Sequence, residues 1–146
     1  MHTKKELLEL LLVNKIRLRK HLGQHYLIDP GICLRLVKSC DISSDDTVIE
    51  IGAGLGALTG LLAERARSVI AVEVDRRISD ILSKRMDCEN NIEVRNEDIM
   101  KFDFSKHKGC KVIGMIPYFL TSPILDMLCS FSVYIHSARL GVQKEL

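Results

Sequence analysis

Val48–Gly60 reads VIEIGAGLGALTG: a β-branched apolar run, a turn holding three glycines, and the start of an apolar helix. Gly52, Gly54 and Gly56 permit positive φ and let backbone approach a ligand closely, while the helix that follows presents N–H groups without intrahelical partners. Strand, glycine turn and helix in this order make the first half of a βαβ unit, and the rest of the chain continues the rhythm. Strands are expected at 47–51, 69–73, 92–95, 111–115 and 138–143, with helices near 57–66, 75–87 and 123–131. Such alternation predicts an α/β domain built on a doubly wound, mostly parallel sheet.

Upstream, residues 4–20 (KKELLELLLVNKIRLRK) set leucines at helical spacing and then turn basic, which predicts a helix with a basic end. Asp29-Pro30 supplies an N-cap and a first helical residue for a helix through about Ser39. The chain is therefore read as a basic helical arm over 1–21 and a domain over 22–146. The sequence stops just after the fifth strand, which leaves one sheet edge expected to be unfinished: a fragment, or an edge protected by another chain.

The 146 residues, 47% of them hydrophobic and 27% charged, suit one soluble domain with a sizeable core. No apolar run approaches the roughly 18 residues that span a bilayer, and Glu6 and Glu9 spoil a signal-peptide core, so a cytoplasmic protein is expected. Cys33, Cys40, Cys88, Cys110 and Cys129 are odd in number, scattered and without a C-x-x-C pair, a pattern for incidental thiols rather than a disulfide framework or structural zinc. The net charge of +2 is uneven: residues 1–40 hold eight Lys/Arg against three Asp/Glu, and the remainder thirteen against sixteen. A basic arm on a mildly acidic domain suits a polyanionic partner, and a solvated helix face explains the same charges.

The glycine turn alone satisfies G-x-G-x-x-G/A through Gly52, Gly54 and Ala57, and Glu73 follows about twenty residues later where an acid would hold ribose hydroxyls. On that motif a nicotinamide-dependent oxidoreductase is a fair reading. Glu50, two residues before Gly52, would sit badly beside a pyrophosphate and well beside a cationic ligand's amino group. That favours S-adenosylmethionine, which carries a sulfonium and an α-amino group and no phosphate. Asp98, after the third strand, completes a set of three acids at three successive strand ends, suited to an adenosine-binding rim, although each acid alone also fits a solvated turn or helix cap.

GQHYLID, VIEIGAGLGALT, VIAVEVD, NEDIMKFDF, IPYFLTSPIL and VQKEL stand in the order and spacing of the ribosomal RNA adenine N6,N6-dimethyltransferases, the KsgA-type enzymes to which the erythromycin-resistance methylases are related. The chain resembles that family from about Leu22 to its last residue. The resemblance implies the N-terminal, catalytic part of a class I S-adenosylmethionine-dependent methyltransferase of Rossmann-like fold, truncated after the fifth strand. It further implies methylation of the N6-amino group of adenine in rRNA and a partner in the small ribosomal subunit. It calls for no metal and no membrane.

Residue by residue, the resemblance assigns Gln24, His25 and Leu27 to closure over the cofactor, with Tyr26 a conservative aromatic replacement. Gly52, Gly54 and Gly56 fall to the methionine moiety, Glu73 to the ribose, and Asp98 with Ile99 to the adenine. Met115-Ile116-Pro117-Tyr118 aligns with the Asn-Leu-Pro-Tyr motif that grips the target base, and Met115 also borders the cofactor. The Ile116 carbonyl accepts from the amino group, Pro117 shapes the loop and Tyr118 stacks on the flipped base. Met115 departs from the motif, because a thioether accepts hydrogen bonds only weakly. Losing one such contact typically removes about 3 kcal/mol of transition-state stabilisation, on the order of a hundredfold in rate. Two alternatives stand beside the enzyme: a weakened or inactive relative acting as an RNA-binding ribosome-assembly factor, and the dinucleotide-dependent oxidoreductase.

Overall fold

In the computed structural model, residues 4–16 and 30–142 are described. Five strands, β1 (Thr47–Ile51), β2 (Ser68–Val72), β3 (Ile92–Arg95), β4 (Cys110–Ile116) and β5 (Ile135–Val142), form one sheet in the order β3-β2-β1-β4-β5. Every pairing is parallel. The central strands read TVIEI, SVIAV and CKVIGMI because a parallel sheet is covered on both faces and alternation with polar residues is lost.

The helices are α1 (Lys4–Val13), α2 (Pro30–Ser39), α3 (Thr59–Ala63), α4 (Arg76–Met86) and α5 (Thr121–Ser130). On one face Val48, Val69 and Ile113 pack with Cys33 and Val37 of α2 and Leu61 and Leu62 of α3. On the other, Ile49, Ile51, Val112 and Ile116 pack with Ile124, Met127 and Leu128 of α5 and with Phe102 and Phe104. The Asp75 side chain caps α4 by accepting from the Arg77 N–H, and Lys84 and Arg85 lie in its last turn, both favourable to the helix dipole.

Several boundaries differ from the sequence expectation. The helix expected over 4–20 ends at Val13: Lys15 takes a left-handed φ of 51°, and the Ile16 N–H folds back to the Leu11 carbonyl. Ile16 then packs, half-buried, beside the buried Leu11 and Leu55. The Arg17–Lys20 segment and Asp29 lie outside the described residues. The helix expected at 57–66 contracts to Thr59–Ala63 because Ala57 and Leu58 complete the glycine turn. The last helix begins at Thr121, two residues early, since Pro123 in a first turn has no helical N–H bond to forfeit. Strand β5 begins at Ile135, and a bulge at Cys110/Lys111 lets the longer strand stay in register.

Gly114 faces Ile51 across the β1–β4 ladder, where a Cβ would lie 2.7 Å from the Ile51 carbonyl oxygen. Gly60, on α3, has nothing within 4 Å of an added Cβ. Gly114→Ala should therefore cost about 1–3 kcal/mol, whereas Gly60→Ala should be neutral or stabilise by up to about 1 kcal/mol. Urea denaturation of the two variants beside the natural protein measures both.

Candidate functional site

The sheet order reverses between β1 and β4: the chain runs outward through β2 and β3 and then returns to the other side of β1. At that switch point the carboxyl ends of two neighbouring strands send their loops apart and leave a crevice. The glycine turn leaves β1 there, and Pro117-Tyr118 leaves β4.

The glycine turn is held from several sides. Gly52, Gly54 and Gly56 have φ of 68°, 57° and 88°. The N–H groups of Gly52 and Ala53 both donate to the Val72 carbonyl at the end of β2, at 2.9 and 3.1 Å. A Cβ on Gly56 would lie 2.7 Å from Leu82 and 2.8 Å from Met86, so the turn rests directly on α4. The Arg85 guanidinium donates through Nη1 to the Leu55 carbonyl, and burial pulls its pKa down.

Glu73 follows β2 immediately and is buried. Its Oε2 accepts from the Gly54 N–H and its Oε1 from the Asp75 N–H, each at 2.9 Å. Burial raises its pKa against the lowering effect of those two donors. An anionic oxygen of the protein already occupies a glycine-turn donor that a pyrophosphate would need, and each carboxylate oxygen keeps a lone pair for a hydroxyl. The Asn96 amide donates to the Glu73 and Val74 carbonyls at 2.9 and 3.1 Å and fixes the turn that carries the acid.

Glu50 is 2% exposed and accepts from the Thr59 hydroxyl at 2.6 Å. Burial pushes its pKa up to about 8; the Thr59 bond opposes this and the negative Glu73 adds to it. Two carboxyl groups thus stand behind the glycine turn, an acceptor set that fits a cationic amino group and vicinal hydroxyls. Thr59 and Asn96, which position these acids, lie within VIEIGAGLGALT and NEDIMKFDF, but residue type and spacing alone give neither a role.

Asp98 is half-buried and caps the short 3-10 turn Ile99–Lys101 by accepting from the Met100 N–H at 3.0 Å. Ile99 turns inward and is buried with Ile70, Val72 and Phe102. The Met115 carbonyl lies 3.7 Å from the position of a Cβ on Gly52, which brings the end of β4 against the glycine turn. The Met115 side chain extends over Gly141 of β5, so closely that a Cβ there would collide with its sulfur. Ile116 is buried toward α5, Pro117 takes φ −62° and ψ 146°, and Tyr118 opens a 3-10 turn and is exposed. Gln24, His25 and Leu27 lie outside the described residues.

All five cysteines are free, and no group of three or more His, Cys, Asp or Glu among the described residues stands together as a metal site. No described helix is long and apolar enough to cross a membrane.

Residues 15–146 match the family model described as ribosomal RNA adenine dimethylase. The chain belongs to this family. A relative from Alkaliphilus metalliredigens, Ribosomal RNA small subunit methyltransferase A, is 40% identical over 139 residues, which cover 90% of this chain and 48% of that one. Among solved structures, the 23S rRNA methyltransferase ErmE superposes with a TM-score of 0.76 at 33% identity, covering 82% of this chain and 48% of that one. A dimethyladenosine transferase from Plasmodium falciparum gives 0.74 at 35% identity, covering 82% and 44%. The chain thus spans about half the length of the relatives it matches. The five-stranded parallel sheet of this dimethylase-family chain is the class I methyltransferase fold, and family membership displaces the dinucleotide-dependent oxidoreductase.

The raised pKa of Glu50 has a thermodynamic sign. Between its ordinary 4.5 and about 8, the folded chain holds a proton that the unfolded chain releases, so this group's stabilising contribution is full below 4.5 and is lost as pH rises toward 8. Glu50→Gln should flatten the fall in stability between pH 5 and pH 8 by an amount on the order of a few kcal/mol, leaving a residual slope from Glu73. Denaturation midpoints at the two pH values, compared between the natural chain and the variant, provide the measurement.

Proposed function

We propose that this chain is the cofactor-binding and target-base part of an S-adenosylmethionine-dependent adenine N6-methyltransferase that acts on small-subunit ribosomal RNA. The observation that carries the reading is the Glu73 carboxylate seated on the glycine turn, with Glu50 buried behind that turn and the turn itself lying against the end of β4, the strand that leads into Pro117-Tyr118. Bound there, the cofactor supplies an electrophilic methyl group on a sulfonium.

In this proposal Glu73 accepts from the ribose hydroxyls, and Glu50, losing its proton, holds the glycine turn against the amino-acid end of the cofactor. Asp98 uses its free oxygen for the adenine amino group while its other oxygen caps the turn. The target adenine, flipped from its strand, stacks on Tyr118 with its N6 hydrogen-bonded to the Ile116 carbonyl, which orients the nitrogen lone pair toward the methyl group. Gln24, His25 and Leu27 close over the cofactor, and the basic arm over 1–21 meets the phosphate backbone in a salt-dependent way. The substrate places the protein with ribosomal subunits in the cytoplasm. The domain proper runs over 22–146.

Met115 favours a second reading, a relative with weakened turnover that acts mainly by binding RNA during ribosome assembly. Its thioether offers no strong acceptor for the second amino hydrogen, and it is packed onto Gly141 as an apolar unit.

Two measurements test these readings. Calorimetry should show S-adenosylmethionine binding and no NAD binding, with Glu73→Ala weakening the cofactor by about 10- to 100-fold, as expected for hydrogen bonds to a charged acceptor; binding of NAD alone would overturn the proposal. Methyl incorporation into unmethylated small-subunit rRNA should rise on the order of a hundredfold in Met115→Asn. Robust turnover by the natural chain, equal to that of the variant, would instead remove the weakened-relative reading.

A further inference from the structure

Phe102, Phe104, Phe131 and Tyr134 make one run of ring contacts, with centroid separations of 4.9 Å for Phe102–Phe104, 5.3 Å for Phe104–Phe131 and 6.4 Å for Phe131–Tyr134. These rings pack in or against the core beneath α5. Tyr118 and Phe119 do the opposite: they are consecutive, sit at the lip of β4, and are 57% and 55% exposed.

Their turn explains how both rings reach solvent. In a 3-10 helix successive side chains fan out by about 120°, so Tyr118, Phe119 and Leu120 point to three sides. Leu120 takes the inward side, packing against the core. The turn is pinned at its base, because the Pro117 carbonyl accepts from the Leu120 N–H at 3.1 Å and from the Thr121 hydroxyl at 3.4 Å. Two aromatic faces are therefore held apart on a backbone with little freedom to lose on binding.

We infer that Phe119 is a second base platform, stacking on the nucleotide next to the target adenine while Tyr118 stacks on the target itself. The inference rests on the RNA-methyltransferase reading and extends it to a residue which that reading leaves unassigned. Flipping one base breaks its stacking with the neighbour, and an exposed ring one residue from the target platform replaces that lost contact. Every base offers a π-face, so the platform tolerates sequence and adds affinity rather than readout.

The chain has no tryptophan, so Phe119→Trp places a lone indole reporter on the platform. The probe is an RNA hairpin whose loop holds one adenosine flanked by 2-aminopurine. On binding, Phe119→Trp emission should be quenched and the 2-aminopurine should report stacking. Phe119→Ala should lower hairpin affinity by about tenfold, with the S-adenosylmethionine affinity and the denaturation midpoint at natural values. Hairpin affinity in Phe119→Ala equal to the natural chain's, or indole emission unmoved when anisotropy shows the hairpin bound, overturns the inference alone. A lowered midpoint in Phe119→Ala without loss of hairpin affinity also overturns it, by showing that the ring packs against protein. A natural chain that binds neither the hairpin nor small-subunit rRNA overturns the function reading and this inference together.

Discussion

The site depends on one carboxylate. Glu73 spans the Gly54 and Asp75 N–H groups, so the turn after β1 and the start of α4 are tied through a single buried side chain. Backbone N–H groups at a glycine turn attract anions, and the chain satisfies that attraction internally. A glycine turn that would otherwise invite phosphate becomes one that presents acceptors, and the motif's chemistry is reversed without changing its geometry.

Close packing carries that geometry across the sheet. Gly56 lets the turn rest on α4, Gly114 lets β4 approach Ile51, and Gly141 makes room for Met115. Parallel strands paired in this register bring the β4 end against Gly52, and the loop that follows β4 opens onto the same crevice as the glycine turn. The glycine turn, with Glu50 behind it, and the loop that carries Tyr118 thereby meet at one crevice, although they are far apart in sequence.

The two buried acids also link stability to binding. Burial, and after it repulsion from neighbouring carboxylates, favours the protonated forms of Glu50 and Glu73, so Glu50 holds its proton through neutral pH. A cationic group entering the crevice would oppose both effects by favouring the ionised carboxylates.

The sequence by itself determined the parallel α/β class, because unbroken β-branched runs at regular spacing are consistent only with strands covered on both faces. It also marked the glycine turn and the acids Glu50, Glu73 and Asp98 as a set at three successive strand ends, although Asp98 by itself serves as the cap of a 3-10 turn. Only the tertiary structure decided the rest. The leucine spacing and basic end over 4–20 continue past Val13, yet the helix stops there, with Lys15 at a left-handed φ and Ile16 folded back beside Leu55. Spacing could not show that Glu73 turns away from solvent and closes on Gly54, because that bond joins residues nineteen apart through two strands. Nor could composition separate Phe119 from Phe102 and Phe104: the same side chain is core or solvent-facing according to which side of a turn faces the sheet.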